Sequence, residues 1–211
     1  YITTLDATTD FDENLQLTAS GGSIDFQDAV GGTTDLGDVD IVSALDVTTD
    51  ANGFNADTLV QQAGTGTTTF NGAVAINDSA TDAGAGLDIT TATIAVNATV
   101  TTANDGPATF SPATLLDVAP GADMSLDGVF LQNGAGSVET AGDVVTTADD
   151  ITFTGDVTLT DSESVVVTSA GGDITYISTL DATTDFDENL QLTAGGGSID
   201  FQDAVGGTTD L

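Results

Sequence analysis

The sequence predicts an all-β fold, a parallel β-solenoid (β-helix) whose coils hold about 20–25 residues each. Three observations predict it. Apolar residues alternate with Thr or Asp, glycine-rich turns divide the chain into short segments, and an aromatic motif recurs at nearly regular intervals. Each segment is short enough to form one strand of a coil, so stacking of similar coils is expected rather than a single bulky core.

The alternation indicates strands. Leu15-Gln16-Leu17, Val39-Asp40-Ile41 and Val157-Thr158-Leu159 place apolar residues at period two, which is typical of strands with one buried face. Pairs such as Asn71-Gly72 and Gly171-Gly172 are turn signals between such segments. No ten-residue stretch has a convincing helical period, so we expect almost no helix.

Aromatic residues that stand two positions after a β-branched or small residue give the coil length. Five of them are separated by 20, 23, 23 and 25 positions: Phe110, Phe130, Phe153, Tyr176 and Phe201. Phe26, Phe70 and Phe110 are 44 and 40 positions apart, and each interval is interpreted as two coils with a weaker anchor at Val47 or within 89–94. Eight coils of about 22 residues then make 175 residues.

A longer repeat defines the domain organisation. Residues 1–36 reappear at 176–211 with 34 of 36 positions identical and only Thr3/Ser178 and Ser20/Gly195 differing. We therefore expect 1–175 to be one full repeat of about eight coils, 176–211 to be the start of the next copy, and the chain to be a window of a longer tandem array. A string of immunoglobulin-like sandwiches is the rival fold. Two such domains would fit in 175 residues, but they should repeat at about 90–100 residues, and the two halves of the 175 residues do not resemble each other in that way.

The charge excludes several classes of partner. The chain has 34 Asp or Glu, no Lys, Arg, His or Cys, and a net charge of −34. No basic side chain is present to meet a phosphate, so no nucleic-acid partner is expected. No apolar run approaches 18 residues, so no membrane insertion is expected in this window. The missing Cys excludes disulfides here.

The densest acidic cluster is the candidate cation site. It occurs once in each copy of the repeat: Asp6, Asp10, Asp12 and Glu13, then Asp181, Asp185, Asp187 and Glu188. Carboxylate oxygens suit hard cations such as calcium, but the spacing matches neither an EF-hand loop nor the glycine-rich calcium nonapeptide. A solvated acidic loop is the alternative. We expect no required cofactor and no catalytic residues. Calcium or other cations are expected as counterions.

Four segments carry a resemblance to a known family. They are Leu15–Ala19, Gly22–Phe26, Ala29–Thr34 and Thr68–Val74. They resemble the degenerate repeats of giant bacterial surface proteins of the filamentous-haemagglutinin and autotransporter-adhesin kind. The resemblance implies a secreted, right-handed parallel β-helix that forms a long shaft without a catalytic site. The absence of all basic residues is a departure from many members of that family.

The leading functional hypothesis is a structural one, an extracellular or cell-surface fibre or adhesin shaft of stacked acidic β-coils. Its main partner would be itself, end to end along the fibre, with cations around it. A calcium-dependent binding module of a surface adhesin is the first alternative. A carbohydrate-active β-helix enzyme is the second, and it is disfavoured because the chain has no Arg, Lys, His or Trp to hold a sugar.

Overall fold

The computed structural model describes residues 4–79, 85–160 and 164–211. Within these residues the chain forms short β-strands joined by turns and no helix, as the alternation predicts. The strands in chain order are β1 (Leu15–Thr18), β2 (Ile24–Phe26), β3 (Leu36–Ser43), β4 (Val47–Thr49), β5 (Phe54–Gln61), β6 (Thr67–Phe70), β7 (Val74–Ile76), β8 (Leu87–Val96), β9 (Val100–Thr102), β10 (Ala108–Val118), β11 (Met124–Leu126), β12 (Phe130–Gln132), β13 (Ser137–Thr140), β14 (Val144–Thr146), β15 (Ile151–Phe153), β16 (Val157–Leu159), β17 (Ser164–Ser169), β18 (Ile174–Tyr176), β19 (Leu180–Ala182), β20 (Asn189–Ala194) and β21 (Ile199–Phe201).

Every strand pairs in parallel with strands one coil away, and the pairings join into three continuous ladders, which we call sides 1, 2 and 3. The side 1 ladder runs through Leu15, Val39, Leu59, Leu87, Ala108, Phe130, Ile151, Ile174 and Ile199. The side 2 ladder runs through Ile24, Val47, Thr68, Ile94, Leu116, Val138, Val157, Leu180 and Val205. The side 3 ladder runs through Leu5, Val30, Phe54, Val74, Val100, Met124, Val144, Val167 and Leu192.

The chain is therefore a parallel β-solenoid of about eight turns, with three sides to each coil. This confirms the predicted fold class. Coil lengths along side 1 fall between 20 and 25 residues except from Leu59 to Leu87, which are 28 positions apart. That longer coil contains residues outside the described part of the chain. Four strands, β3, β5, β8 and β10, run round a corner and belong to two sides.

The core is a column of inward-pointing side chains, because every second residue of a strand faces the inside of the coil. Most ladder positions away from the two ends are almost fully buried. Aromatic rings stack along side 1 between neighbouring coils: Phe153 and Tyr176 have ring centroids 5.0 Å apart, and Tyr176 and Phe201 are 5.3 Å apart. This stack crosses the junction between the two copies of the repeat and so connects their cores.

The aromatic anchors do not all lie on one side, contrary to the way the sequence intervals were interpreted. Phe26 and Phe70 lie on side 2, two coils apart, with Thr49 between them in the ladder. Phe110 lies on side 1. The interval from Phe70 to Phe110 is therefore less than two full coils, because side lengths vary and an anchor can move to the next side.

Candidate functional site

The acidic loop, residues 6–13, bulges from the edge between sides 3 and 1, after Leu5 and before β1. Its carboxylates accept hydrogen bonds from backbone N–H groups. Thr33 N–H donates to Asp6 Oδ1 at 3.0 Å, and Thr8 N–H donates to Glu13 Oε2 at 3.1 Å. Thr33 belongs to the following coil, so Asp6 ties the loop to its neighbour along the axis.

The second acidic loop, residues 181–188, repeats this arrangement. Thr208 N–H donates to Asp181 Oδ1 at 3.0 Å, just as Thr33 does to Asp6. Glu188 accepts from the hydroxyl of Thr183 at 2.6 Å and from Thr184 N–H at 3.2 Å. The hydroxyl of Thr183 is the main reason that the pKa of Glu188 lies below its ordinary value. The same sequence thus builds the same backbone turn twice, although Glu188 is buried and Glu13 is exposed.

These loops are held in a conformation that is unusual for their aromatic residue. Phe11 and Phe186 have φ values of 62° and 63°, in the left-handed region that bulky residues rarely adopt. Hydrogen bonds fix it: Phe11 N–H donates to the carbonyl oxygen of Asp35 and Phe186 N–H to that of Asp210, both at 3.1 Å. Gly37 packs against the first loop, since a Cβ there would lie 3.1 Å from the carbonyl oxygen of Phe11.

Six of the eight carboxylates accept hydrogen bonds from backbone N–H groups of the loop or of the adjacent coil: Asp6, Asp10, Glu13, Asp181, Asp185 and Glu188. Among the residues that the structure describes, no three acidic side chains are grouped in a way that could hold a metal ion. The predicted cation site at Asp6, Asp10, Asp12, Glu13 and their counterparts Asp181, Asp185, Asp187 and Glu188 therefore stays a prediction.

A second acidic feature was missed by the sequence analysis. We call it the acidic edge, a line of carboxylates on successive coils between sides 3 and 1: Asp105, Asp127, Asp149, Asp150 and Asp173. Asp105 N–H donates to Asp127 Oδ2 at 3.2 Å, and Asp173 N–H donates to Asp150 Oδ1 at 2.8 Å. Spacings of 22 and 23 residues, equal to the coil length, are the sequence signal that would have revealed it.

The acidic edge shifts the ionisation of its members in opposite directions. Partial burial raises the pKa of Asp149, and the negative charges of Asp105, Asp127 and Asp150 raise it further. The pKa of Asp127 is lowered by the donated N–H of Asp105 and by the hydroxyl of Thr147. The close carboxylates therefore repel one another along this edge, and backbone donors offset part of the repulsion.

The two ends of the solenoid form a third feature, and the repeat allows each to be compared with an internal counterpart. Val30 is 1% exposed because Phe54 of the next coil covers it, whereas its counterpart Val205 on the last coil is 45% exposed. The reverse holds at the other end. Leu180 is fully buried beneath Val157, while its counterpart Leu5 is only partly buried.

Other apolar residues of the last coil share this exposure. Ile199 is 42% exposed and Phe201 is 40% exposed. An open cavity of about 370 Å³ lies against the first coil and is lined by residues that include Leu5, Phe26 and Val30. Both ends therefore present apolar side chains and strand edges of the kind that a further coil covers inside the molecule.

No helix in the described part of the chain is long and apolar enough to span a membrane. Comparison of the chain with protein-family models, with curated proteins and with solved structures gives no match.

Proposed function

We propose that this chain is part of a structural extracellular fibre or adhesin shaft, in which acidic β-coils are stacked end to end and the array of repeats sets the length. The solenoid fold supports a structural role, because each coil contacts only its neighbours and coils can be added without limit. The extracellular location is supported by the resemblance to the repeats of secreted adhesins.

The observation that carries the proposal is the exchange of burial between the two copies of one sequence. At the ends Val205 is exposed and Leu5 is only partly buried, whereas Val30 and Leu180 are covered by the adjoining coil. Burying the exposed parts of Ile199, Phe201 and Val205 would stabilise the molecule by about 2–4 kcal/mol in total. A coil with the sequence of residues 37–61 has the complementary strands, since this segment covers the first copy.

The acidic surface fits the same role. Outward carboxylates brace neighbouring coils while they remain hydrated, as when Gln16 and Gln62 both donate to Asp40 at 2.8 Å from the coils on either side. One 175-residue repeat carries 27 acidic residues. Like charge at this density keeps shafts apart in solution and favours extension over aggregation.

The first test is electron microscopy of the native fibre with its axial power spectrum. A meridional spacing near 4.8 Å is expected from stacked coils. Beads separated by several tens of ångströms without that spacing would contradict the proposal.

A second test blocks the coil end in the 211-residue chain. Ile24 N–H donates to the carbonyl oxygen of Asp46 on the next coil at 2.8 Å, so the equivalent N–H of Ile199 points to the open end. Ile199→Pro removes that donor and keeps the bonds to the preceding coil. Binding of a peptide with the sequence of residues 37–61, measured by isothermal titration calorimetry, should be lost in Ile199→Pro and kept in the control Ile199→Val. Equal binding to both variants would exclude this edge as the joint.

A further inference from the structure

We infer that each copy of the 175-residue repeat is rotated about the solenoid axis by one side, or one-third of a full rotation, relative to the copy before it. The fibre therefore displays each surface element on its three edges in succession. This inference rests on the proposed continuation of the repeat in an array. It goes further because it fixes where identical residues of neighbouring copies lie around the axis.

The ladders show this rotation directly. Leu5 lies on side 3, whereas its counterpart Leu180 lies on side 2. The next strand of the repeat behaves in the same way, since Leu15 lies on side 1 and its counterpart Leu190 pairs with Val165 on side 3.

The third strand of the repeat completes the pattern. Ile24 lies on side 2, and its counterpart Ile199 lies on side 1. All three strands of the repeated segment are therefore displaced by one side in the same sense.

Counting sides gives the reason. Seven steps along the side 3 ladder lead from Leu5 to Val167. Two more sides, through Ile174 on side 1, lead to Leu180 on side 2. One repeat therefore occupies 23 sides, or seven and two-thirds coils, and 23 is not divisible by three. The expected number of about eight coils is thus approximately right. The repeat is one-third of a coil shorter than eight coils, and this difference produces the rotation between copies.

This rotation leaves the pairing of strands within the repeat unchanged. Leu5 bridges to Val30 in the first copy, and Leu180 bridges to Val205 in the second. The bond from Gly31 N–H to the Leu5 carbonyl oxygen is 2.7 Å, and the equivalent bond from Gly206 to Leu180 is 2.8 Å. The same coil is therefore built correctly on a different side, because a parallel ladder accepts any apolar neighbour of suitable size.

The surface consequence concerns the acidic loops. Residues 6–13 bulge from the edge between sides 3 and 1, while residues 181–188 bulge from the edge between sides 2 and 3. Copies follow one another about 37 Å along the axis, and the same loop returns to the same edge after three copies, 23 coils or about 110 Å. A ligand that recognises this loop is therefore met on every edge of the fibre.

The test is gold labelling of an array of at least four repeats. Thr9→Cys in every copy introduces one exposed thiol per loop, and the parent chain, which has no Cys, is the control for non-specific labelling. Maleimide-gold clusters located by cryo-electron microscopy should step by one-third of a turn every 37 Å or so, with a repeat near 110 Å on each edge.

The outcomes separate this inference from the proposed function. Labels on a single edge about every 38 Å, together with the 4.8 Å spacing, would contradict the inferred rotation between copies and would leave the proposed stacked fibre standing. A missing 4.8 Å spacing would instead remove the fibre itself. Cryo-electron microscopy reconstruction of unlabelled fibres gives the same rotation per copy independently.

Discussion

Gln61 and Gln132 occupy the same ladder of side 1, three coils apart, yet only Gln132 has a partner for each of its amide atoms. Gln132 Oε1 accepts from the N–H groups of Thr154 and Gly155, and its Nε2 donates to the carbonyl oxygen of Gly136 at 3.1 Å. Gln61 is 1% exposed, and its Nε2 has no partner in the described part of the chain.

This difference predicts opposite effects of apolar substitution. Gln61→Met with Thr68→Val removes the unpaired amide together with the hydroxyl that donates to Gln61 Oε1 at 2.6 Å, and both partners are replaced by apolar groups of similar shape. The free energy of unfolding should rise by about 1 kcal/mol. Gln132→Met should lower it by at least about 2 kcal/mol, because several buried backbone groups lose their partner. Urea denaturation followed by circular dichroism measures both, and a change of the same sign in both variants would contradict the assignment.

Close approach between coils predicts which glycines are essential. A Cβ on Gly134 would lie 1.9 Å from the carbonyl oxygen of Pro112 on the preceding coil, whereas a Cβ on Gly21 meets nothing within 4 Å. Gly134→Ala should therefore lower the free energy of unfolding by about 1–3 kcal/mol, because the coils must separate. Gly21→Ala is the matched control and should leave it nearly unchanged. Equal effects in denaturant titrations would mean that the coils do not approach as described.

The shifted carboxylates predict a pH dependence with opposite signs. The pKa of Asp156 is lowered by the hydroxyls of Ser178 and Thr179, so its contribution to stability is present above its ordinary value of 3.8 and is lost as the pH falls through the lowered value. The pKa of Asp149 is raised, so its ionisation destabilises the fold at neutral pH, and this cost disappears as the pH falls through the raised value toward 3.8.

At pH 7, Asp149→Asn should therefore raise Tm and Asp156→Ala should lower it, each by a few degrees. Thermal melts at pH 7 and near pH 2.5 measure this, and both differences should shrink at the lower pH. Differences that persist in acid would show that packing rather than ionisation is responsible.

The net charge predicts stabilisation by salt. With 34 acidic and no basic residues, repulsion between stacked coils is screened only by ions from solution. Tm should rise by on the order of 5 °C between 10 mM and 1 M sodium chloride. A flat Tm across this range, with and without calcium, would contradict the prediction.

Calcium at constant ionic strength distinguishes screening from a site in the second acidic loop. Asp185→Asn with Asp187→Asn removes two charges there, and Asp200→Asn with Asp203→Asn removes two charges elsewhere on the surface. Under general screening the two double variants should respond equally to calcium in thermal melts. A calcium response that is weaker only in the loop variant, in which the first acidic loop is intact, would favour the calcium-dependent binding module.

The solenoid was predictable because its signals are local. The alternation of Leu15-Gln16-Leu17 indicates a strand and shows which of its side chains face the core, and Asn71-Gly72 indicates a turn. Neither signal depends on the rest of the chain. The acidic loop was likewise visible as a cluster of carboxylates, although the hydrogen bond that Asp6 accepts from Thr33 N–H on the next coil was not.

Tertiary structure alone decided which side each segment occupies. Residue spacing between Phe70 and Phe110 suggests two coils, but the ladders place them on different sides because corners and loops consume unequal lengths of chain. The partners of Gln61 and Gln132 depend on the same register, since each lies against whichever residues the adjacent coil brings beside it. The local alternation of apolar and polar residues determines which side chains of a strand face the core. The side of the solenoid on which that strand lies depends on the lengths of all preceding sides and corners, and these lengths are set only by the tertiary structure.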